Sequence, residues 1–428
     1  MTDAVRAGAG PTWFGQPRGL TILFLTNMWE QFSYYGMRAL LVYYMTKELL
    51  LPQGQSSFVY GAYTATAYFT PIVGGVVADR LLGKRRAVVL GASIMAAGHF
   101  MMAFEPIFYA VLGVIALGNG LFLPSLPSQI NDLYGPGDAR RGWAYNLYYL
   151  GINVGGFLAP LVCGTLGEVY GWHYGFGAAG VGMLAGLLIY LWGKHCLPPE
   201  PPRVRAADEP AARWADHRAA FLVLLSVALS VTVFRGAYEQ VGNTVALWAD
   251  SGVDRQAGGF LIPATWFQSL NPLLVMLMTP GLLAWWSARA KAGRGDAPAR
   301  RMAAGALIVA GAYVLLAAAS WSAGEAERAS WLWLLAFFVL FTLGELFILP
   351  TGLGLFARLA PPRLGATTVA AWFLTIFSGS LSAGLVGTLW GEMPPASFFA
   401  MLAGIAVAAA LLLRALDAPV RRVDPTRI

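Results

Sequence analysis

Asn27-Met28-Trp29-Glu30-Gln31-Phe32-Ser33-Tyr34-Tyr35-Gly36-Met37-Arg38 lies within an otherwise apolar run from Leu20 to Met45. At about 1.5 Å of rise per residue, that run is long enough to cross a bilayer as a helix. On such a helix Asn27, Glu30, Gln31, Tyr34, Tyr35 and Arg38 follow one another at helical spacing, so all six share one continuous face. A charged group near the bilayer centre costs roughly 2.5 kcal/mol or more on insertion scales. The face is therefore expected to turn away from lipid, toward a water-filled cavity or a partner charge. An internal salt bridge that orients helices would account for the charges, but two charges, two amides and two phenols on one stripe exceed what packing needs.

Working outward, the 428-residue chain is 57% hydrophobic and only 12% charged, which fits a polytopic membrane protein and no water-soluble fold. Apolar windows predict helices over 20–46, 58–79, 87–104, 108–131, 143–163 and 173–194, then 219–249, 257–286, 302–321, 330–356, 365–389 and 396–414. These make an all-α integral membrane protein of twelve transmembrane helices in two six-helix halves, residues 1–194 and 219–428, the latter including a terminal tail. Between them, 195–218 holds Pro198-Pro199-Glu200-Pro201-Pro202 and mixed charges and reads as a polar linker. The first residues lack the apolar core and cleavage site of a signal peptide, so the first helix is expected to be retained.

Charge distribution sets the expected orientation. Of the 29 lysines and arginines, Arg38 and Arg235 fall within helices, and only Lys47, Arg255 and Arg328 fall on one set of loops. All the others lie on the opposite set and the tails, which predicts a plasma (inner) membrane protein with both termini and the linker cytoplasmic. The net charge of +7 is thus a topology signal rather than a nucleic-acid footprint. Cys163 and Cys196 have no metal-ligand spacing around them and read as buried free thiols. No metal or cofactor is expected.

Gly74-Gly75-Val76-Val77-Ala78-Asp79-Arg80-Leu81-Leu82-Gly83-Lys84-Arg85-Arg86 closes the second helix and its loop. It resembles the loop signature of the major facilitator superfamily, whose two six-helix halves expose a central site alternately to each side. Glycines there let helices approach closely, Asp79 can engage a cation or a helix N-terminus, and the basic run can meet anionic headgroups. Asp79, Arg80 and Arg85 are accordingly expected to form a conformational latch.

The first-helix stretch and Tyr148-Tyr149-Leu150-Gly151-Ile152-Asn153-Val154-Gly155-Gly156 together resemble the proton-dependent oligopeptide transporter (POT/PTR2) family. Further matches run through Tyr238-Glu239-Gln240, Trp266-Phe267-Gln268-Ser269-Leu270-Asn271-Pro272, Gly344-Glu345-Leu346 with Pro350, and Trp372-Phe373-Leu374. The resemblance implies a secondary transporter, not an enzyme, with small peptides or peptide-like solutes and protons as its partners in the lipid bilayer. It also implies a cavity lined by Tyr34, Tyr35, Tyr68, Asn153 and Trp372, and Glu345 as the receiver of a peptide's amino end. Aromatic rings with polar tips suit varied side chains on a constant backbone.

Three departures stand out. The family's Glu-x-x-Glu-Arg reads Asn27-Met28-Trp29-Glu30-Gln31 here, and its Gly-Leu-Phe-Lys-Pro reads Gly120-Leu121-Phe122-Leu123-Pro124. A carboxylate, an arginine and a lysine that the family uses for proton coupling and substrate carboxylate binding are thereby neutral. Glu30, Glu239 and Glu345 remain as candidates for proton coupling, with Arg38 and Arg235 as the intramembrane cations. Arg235 and Glu239 are spaced i, i+4, so they form either a simple intrahelical pair or a substrate site in which Arg235 replaces the charge lost at Gln31. Glu345 has no cation within a turn, and a carboxyl so placed can take a proton or a substrate ammonium. His99 reads as packing.

Neither a phosphate-binding Gly-x-x-x-x-Gly-Lys-Ser/Thr loop nor a His-Glu-x-x-His or Gly-x-Ser-x-Gly motif is present, so ATP-driven pumping and intramembrane hydrolysis have no visible machinery. The readings left open are a proton-coupled carrier, an uncoupled facilitator for amines or carboxylate-modified solutes, and a non-transporting sensor on the same fold.

Overall fold

The computed structural model describes residues 12–13, 15–135, 137–200, 218–295, 297–324, 327–359 and 365–423, and they are almost entirely helical. In order these are α1 (Arg18–Lys47), α2 (Gln53–Val77), α3 (Lys84–Met101), α4 (Phe108–Asp132), α5 (Arg140–Ala159), α6 (Trp172–Gly193) and α7 (Arg218–Tyr238). There follow α8 (Thr244–Ser251), α9 (Leu270–Lys291), α10 (Pro298–Ala323), α11 (Trp331–Leu359), α12 (Gly365–Gly387), α13 (Pro395–Ala415) and α14 (Asp417–Val423). Each window predicted from hydropathy falls on one of these helices, with α7 and α8 sharing the seventh. Among the described residues, nine helical stretches are long and apolar enough to cross a membrane. Helices α1 to α3 are not among the nine; in α1 the polar stripe dilutes the hydropathy.

Irregularities fall where backbone chemistry requires them. The window expected to be helical from 257 begins instead with a hairpin, Gln256–Ala257 pairing with Phe260–Leu261. Gly258 and Gly259 have φ of 57° and 86° and make its turn, which a right-handed helix cannot include. The apolar Phe260-Leu261-Ile262 had masked this break in the hydropathy pattern. Helix α7 ends in a 3₁₀ turn over Glu239–Gly242 before α8, and π-helical turns follow α2 at Ala78–Leu82 and α5 at Pro160–Gly164. Most of the expected linker, 201–217, lies outside the described residues, as do Arg6, Arg203, Arg205, Arg213, Arg363 and Arg427.

Packing divides the chain into two units, Met1–Tyr44 with Thr66–Ala207, and Met45–Ala65 with Asp208–Ile428. This grouping departs from a division at residue 194, because Met45–Ala65 joins the second unit. There Lys47 Nζ lies 2.7 Å from Asp250, which also pairs with Arg255 at 3.1 Å. The first unit has a core of Leu23, Val88, Met95, Phe122, Ile130, Met183 and Tyr190 from α1, α3, α4 and α6. The second is centred on aromatics, with Tyr313 tilted against Phe337 at 5.3 Å and Phe337 against Phe341 at 5.3 Å. The short α14 is anchored there by Asp417, 2% exposed, which accepts from Arg300 and Arg421 at 2.7 Å each.

Candidate functional site

In the first unit the α1 face is buried as its residue types require. Asn27, Glu30, Gln31 and Tyr34 are buried, and Tyr35 and Arg38 half-buried. What buries it is α5. A Cβ on Gly155 would lie 2.2 Å from the Met28 carbonyl oxygen, so only glycine lets the two backbones approach this closely. Across that contact Asn27 Nδ2 donates to the Tyr148 carbonyl at 3.0 Å. Glu30 accepts from the neighbouring Gln31 amide at 2.7 Å and has no ion pair among the described residues. Tyr34 and Tyr35 meet edge to face at 5.4 Å. Asn153 gives its amide to the Tyr149 carbonyl at 2.9 Å, one turn back on its own helix, and Tyr68 is half-buried on α2.

In the second unit a charged cluster is built on the end of α7. Arg235 donates to Glu239, so the i, i+4 spacing does produce the intrahelical pair. The guanidinium also lies 5.2 Å from the centre of the Tyr238 ring, which stacks on Phe341 at 5.1 Å. From there the Tyr238 hydroxyl donates to Glu345 Oε1 at 2.8 Å. Asn271, at the start of α9, donates to Glu345 Oε2 at 2.6 Å and to the Thr342 hydroxyl at 3.1 Å. Glu345 is thus held by two neutral donors, while Arg235, the one buried arginine or lysine among the described residues, is taken by Glu239. Trp372 is buried, edge to face with Phe356 at 5.2 Å.

These arrangements can be set beside known proteins. The sequence profile described as PTR2, POT family, matches residues 85–209 and 204–399. The chain belongs to the POT family. A relative named peptide transporter YePEPT, from Yersinia enterocolitica, is 32% identical over 99% of this chain and 98% of its own length. A di-/tripeptide transporter of Lactococcus lactis subsp. cremoris is 29% identical over 96% of this chain and 97% of its own. Among crystal structures, a variant of the peptide transporter POT in complex with alafosfalin superposes with a TM-score of 0.89 at 28% identity, covering 99% of this chain and 100% of that one. The chain therefore has the major facilitator fold.

At the position where the first-helix motif was expected to carry an arginine, the Gln31 amide donates to Glu30. The motif read as a latch is only partly engaged. Gly74 presses on the Gly120 carbonyl, where a Cβ would come within 2.1 Å, and Arg85 donates to the Leu197 and Pro198 carbonyls at 2.8 and 2.6 Å. Asp79, expected to meet a cation or helix N-terminus, is exposed and has neither partner among the described residues. Arg80 is exposed as well.

Tyr238, Asn271 and Thr342 were not selected from the sequence as site residues. Tyr238 and Asn271 stood inside quoted motifs, and Thr342 lies three residues before Glu345. His99 is fully buried with no hydrogen bond to either ring nitrogen among the described residues, and joins neither cluster. Cys163 is buried and Cys196 only half-buried, in the 3₁₀ turn beyond α6, where the expectation was two buried thiols; neither forms a disulfide.

Proposed function

We propose that this chain carries di- and tripeptides or peptide-like solutes across the inner membrane by alternating access, with no enzymatic step. The observation that carries the reading is Glu345. A carboxylate buried in a membrane protein needs a proton or a positive partner, and its donors here, Tyr238 and Asn271, are both neutral. The α-ammonium of a peptide supplies the missing charge, and the amide oxygen of Asn271 can accept from the same ammonium. Arg235, released from Glu239, is then the cation for the peptide carboxylate.

A second reading, an uncoupled facilitator for amines or carboxylate-modified solutes, is favoured by one contact: Glu30 meets the Gln31 amide where the POT signature has an arginine. Uptake of labelled dialanine and of dialanine amide into proteoliposomes separates the two. The peptide reading expects Glu345→Gln to reduce uptake of both roughly tenfold or more, the worth of one charge-assisted contact. It also expects Arg235→Gln to reduce dialanine uptake far more than that of the amide. Equal sensitivity of both solutes to Arg235→Gln would overturn the carboxylate role, and no uptake of either by the wild type would leave a sensor.

A further inference from the structure

We propose that a cavity between α5 and α6, on the far side of α1 from its polar face, is a binding site for one acyl chain of a bilayer phospholipid. Small residues of α6, Gly177, Ala178 and Gly182, stand there with large ones of α1, Trp29 and Phe32, around a cavity of about 650 Å³. Its inner end is closed. A Cβ on Gly182 would come within 2.5 Å of the Phe32 ring, and one on Gly155 within 2.2 Å of the Met28 carbonyl oxygen, so α5 and α6 are both shut against α1. A Cβ on Gly177, by contrast, would meet nothing within 4 Å. The cavity opens sideways, past Val162 and Val181, which are 43% and 58% exposed. Both valines lie in candidate membrane spans, so the opening faces the hydrocarbon of the bilayer.

Three features select an acyl chain as the occupant. The first is length: from Tyr174 to Gly182 the helix rises about 12 Å, close to the roughly 15 Å of one leaflet in a hydrocarbon core about 30 Å thick. The second is the lining, whose almost wholly apolar walls give water or a peptide backbone nothing to bond, and apolar cavities take apolar guests. The third is the direction of polarity. His173 and Tyr174 stand together in the first turn of α6, at the end of the cavity where the glycerol and headgroup of the same lipid would lie, and tyrosine is favoured at that depth. A flat helix face touches a passing chain on one side, whereas walls from α1, α5 and α6 hold it on several. The added dispersion contacts are what distinguish this chain from the lipid around it. Met28, Trp29 and Phe32 lie on the side of α1 away from Asn27, Glu30 and Tyr34. The cavity shares no residue with the candidate substrate site, so it stands or falls separately from the transport reading.

The test uses the full chain in phosphatidylcholine vesicles that contain a trace of phosphatidylcholine with a diazirine midway along one acyl chain. Illumination and peptide mapping are expected to place label on residues 155–166 and 173–182 at roughly tenfold the level on α10, where Leu307 and Val314 are exposed. Gly177→Ala, Gly177→Val and Gly177→Leu fill the cavity by steps, and label there should fall in that order, reaching the α10 level in the last. Ala178→Leu fills the same space from the next residue and repeats the test should Gly177→Leu fail to fold. Gly311→Leu on α10, where a Cβ also meets nothing within 4 Å, should leave the labelling unchanged. Even labelling of all exposed helix faces, label that persists in the folded filling variants, or label displaced by oleate while that on α10 stays would overturn the proposal, the last by assigning the cavity to a free fatty acid.

Discussion

Glu30 and Glu345 are both buried carboxylates without an ion pair among the described residues, and what separates them is their donors. Glu30 is met by one amide from the next residue, Glu345 by a phenol from α7 and an amide from α9. Tyr238 does two things at once, since its ring lies between Arg235 and Phe341 while its hydroxyl reaches Glu345. Phenylalanine in its place keeps the ring contacts and removes only the hydroxyl. Because a hydrogen bond to a charged group nets about 1.5–3 kcal/mol, Tyr238→Phe is expected to raise the KM for dipeptide uptake roughly tenfold. An unchanged KM would take Tyr238 out of the site. At this scale the sequence was readable where partners are local. The spacing of Arg235 and Glu239 announced their pairing, and the lack of a cation around Glu345 was visible from its own turn. The hydroxyl of Tyr238 lies 107 residues from its acceptor, and only tertiary packing brings the two together.

Elements carry those residues to their places through close backbone approach. On α5, Gly151 and Gly155 both face α1, and at Gly155 a Cβ would stand 2.2 Å from a carbonyl oxygen, so α1 and α5 touch backbone to backbone beside Glu30 and Asn153. Gly155→Ala is therefore expected to lower the yield of folded protein and its thermal midpoint, by an overpacking cost of about 1–3 kcal/mol. Gly177→Ala on α6, where a Cβ meets nothing within 4 Å, is the matched control and should leave both unchanged or slightly raised, since alanine favours helix. An equal loss in both variants would mean that the α1–α5 contact does not govern position 155. Helix positions were legible because apolar windows of this length have few alternatives. Their ends were not, since hydropathy is blind to glycines at positive φ, which is why the Gly258-Gly259 hairpin was hidden under an apolar stretch. The terminal α14 was missed for another reason, as it depends on Asp417 meeting Arg300 from α10.

For the whole molecule the question is how charge balances as a solute moves. The described buried charges of the two units, leaving aside Asp417 beneath its arginines, are Glu30, Glu239, Glu345 and Arg235. With three carboxylates and one guanidinium, full ionisation would leave two uncompensated negative charges in a low-dielectric interior, which is prohibitive. In the proposed binding mode a peptide ammonium at Glu345 removes one of them. The other falls to Glu30, whose single neutral donor makes a proton the natural counter-charge. If that proton is taken up on one side of the membrane and released on the other, the carrier is coupled; if it stays, the carrier equilibrates its substrate. The expected outcome is coupling. Proteoliposomes given an inward proton gradient should accumulate labelled dialanine above the external concentration, and Glu30→Gln, which fixes the neutral state, should abolish accumulation while peptide-for-peptide exchange continues. Exchange without accumulation in the wild type would establish instead that Asn27, Gln31 and Leu123 have turned a symporter's framework into a facilitator.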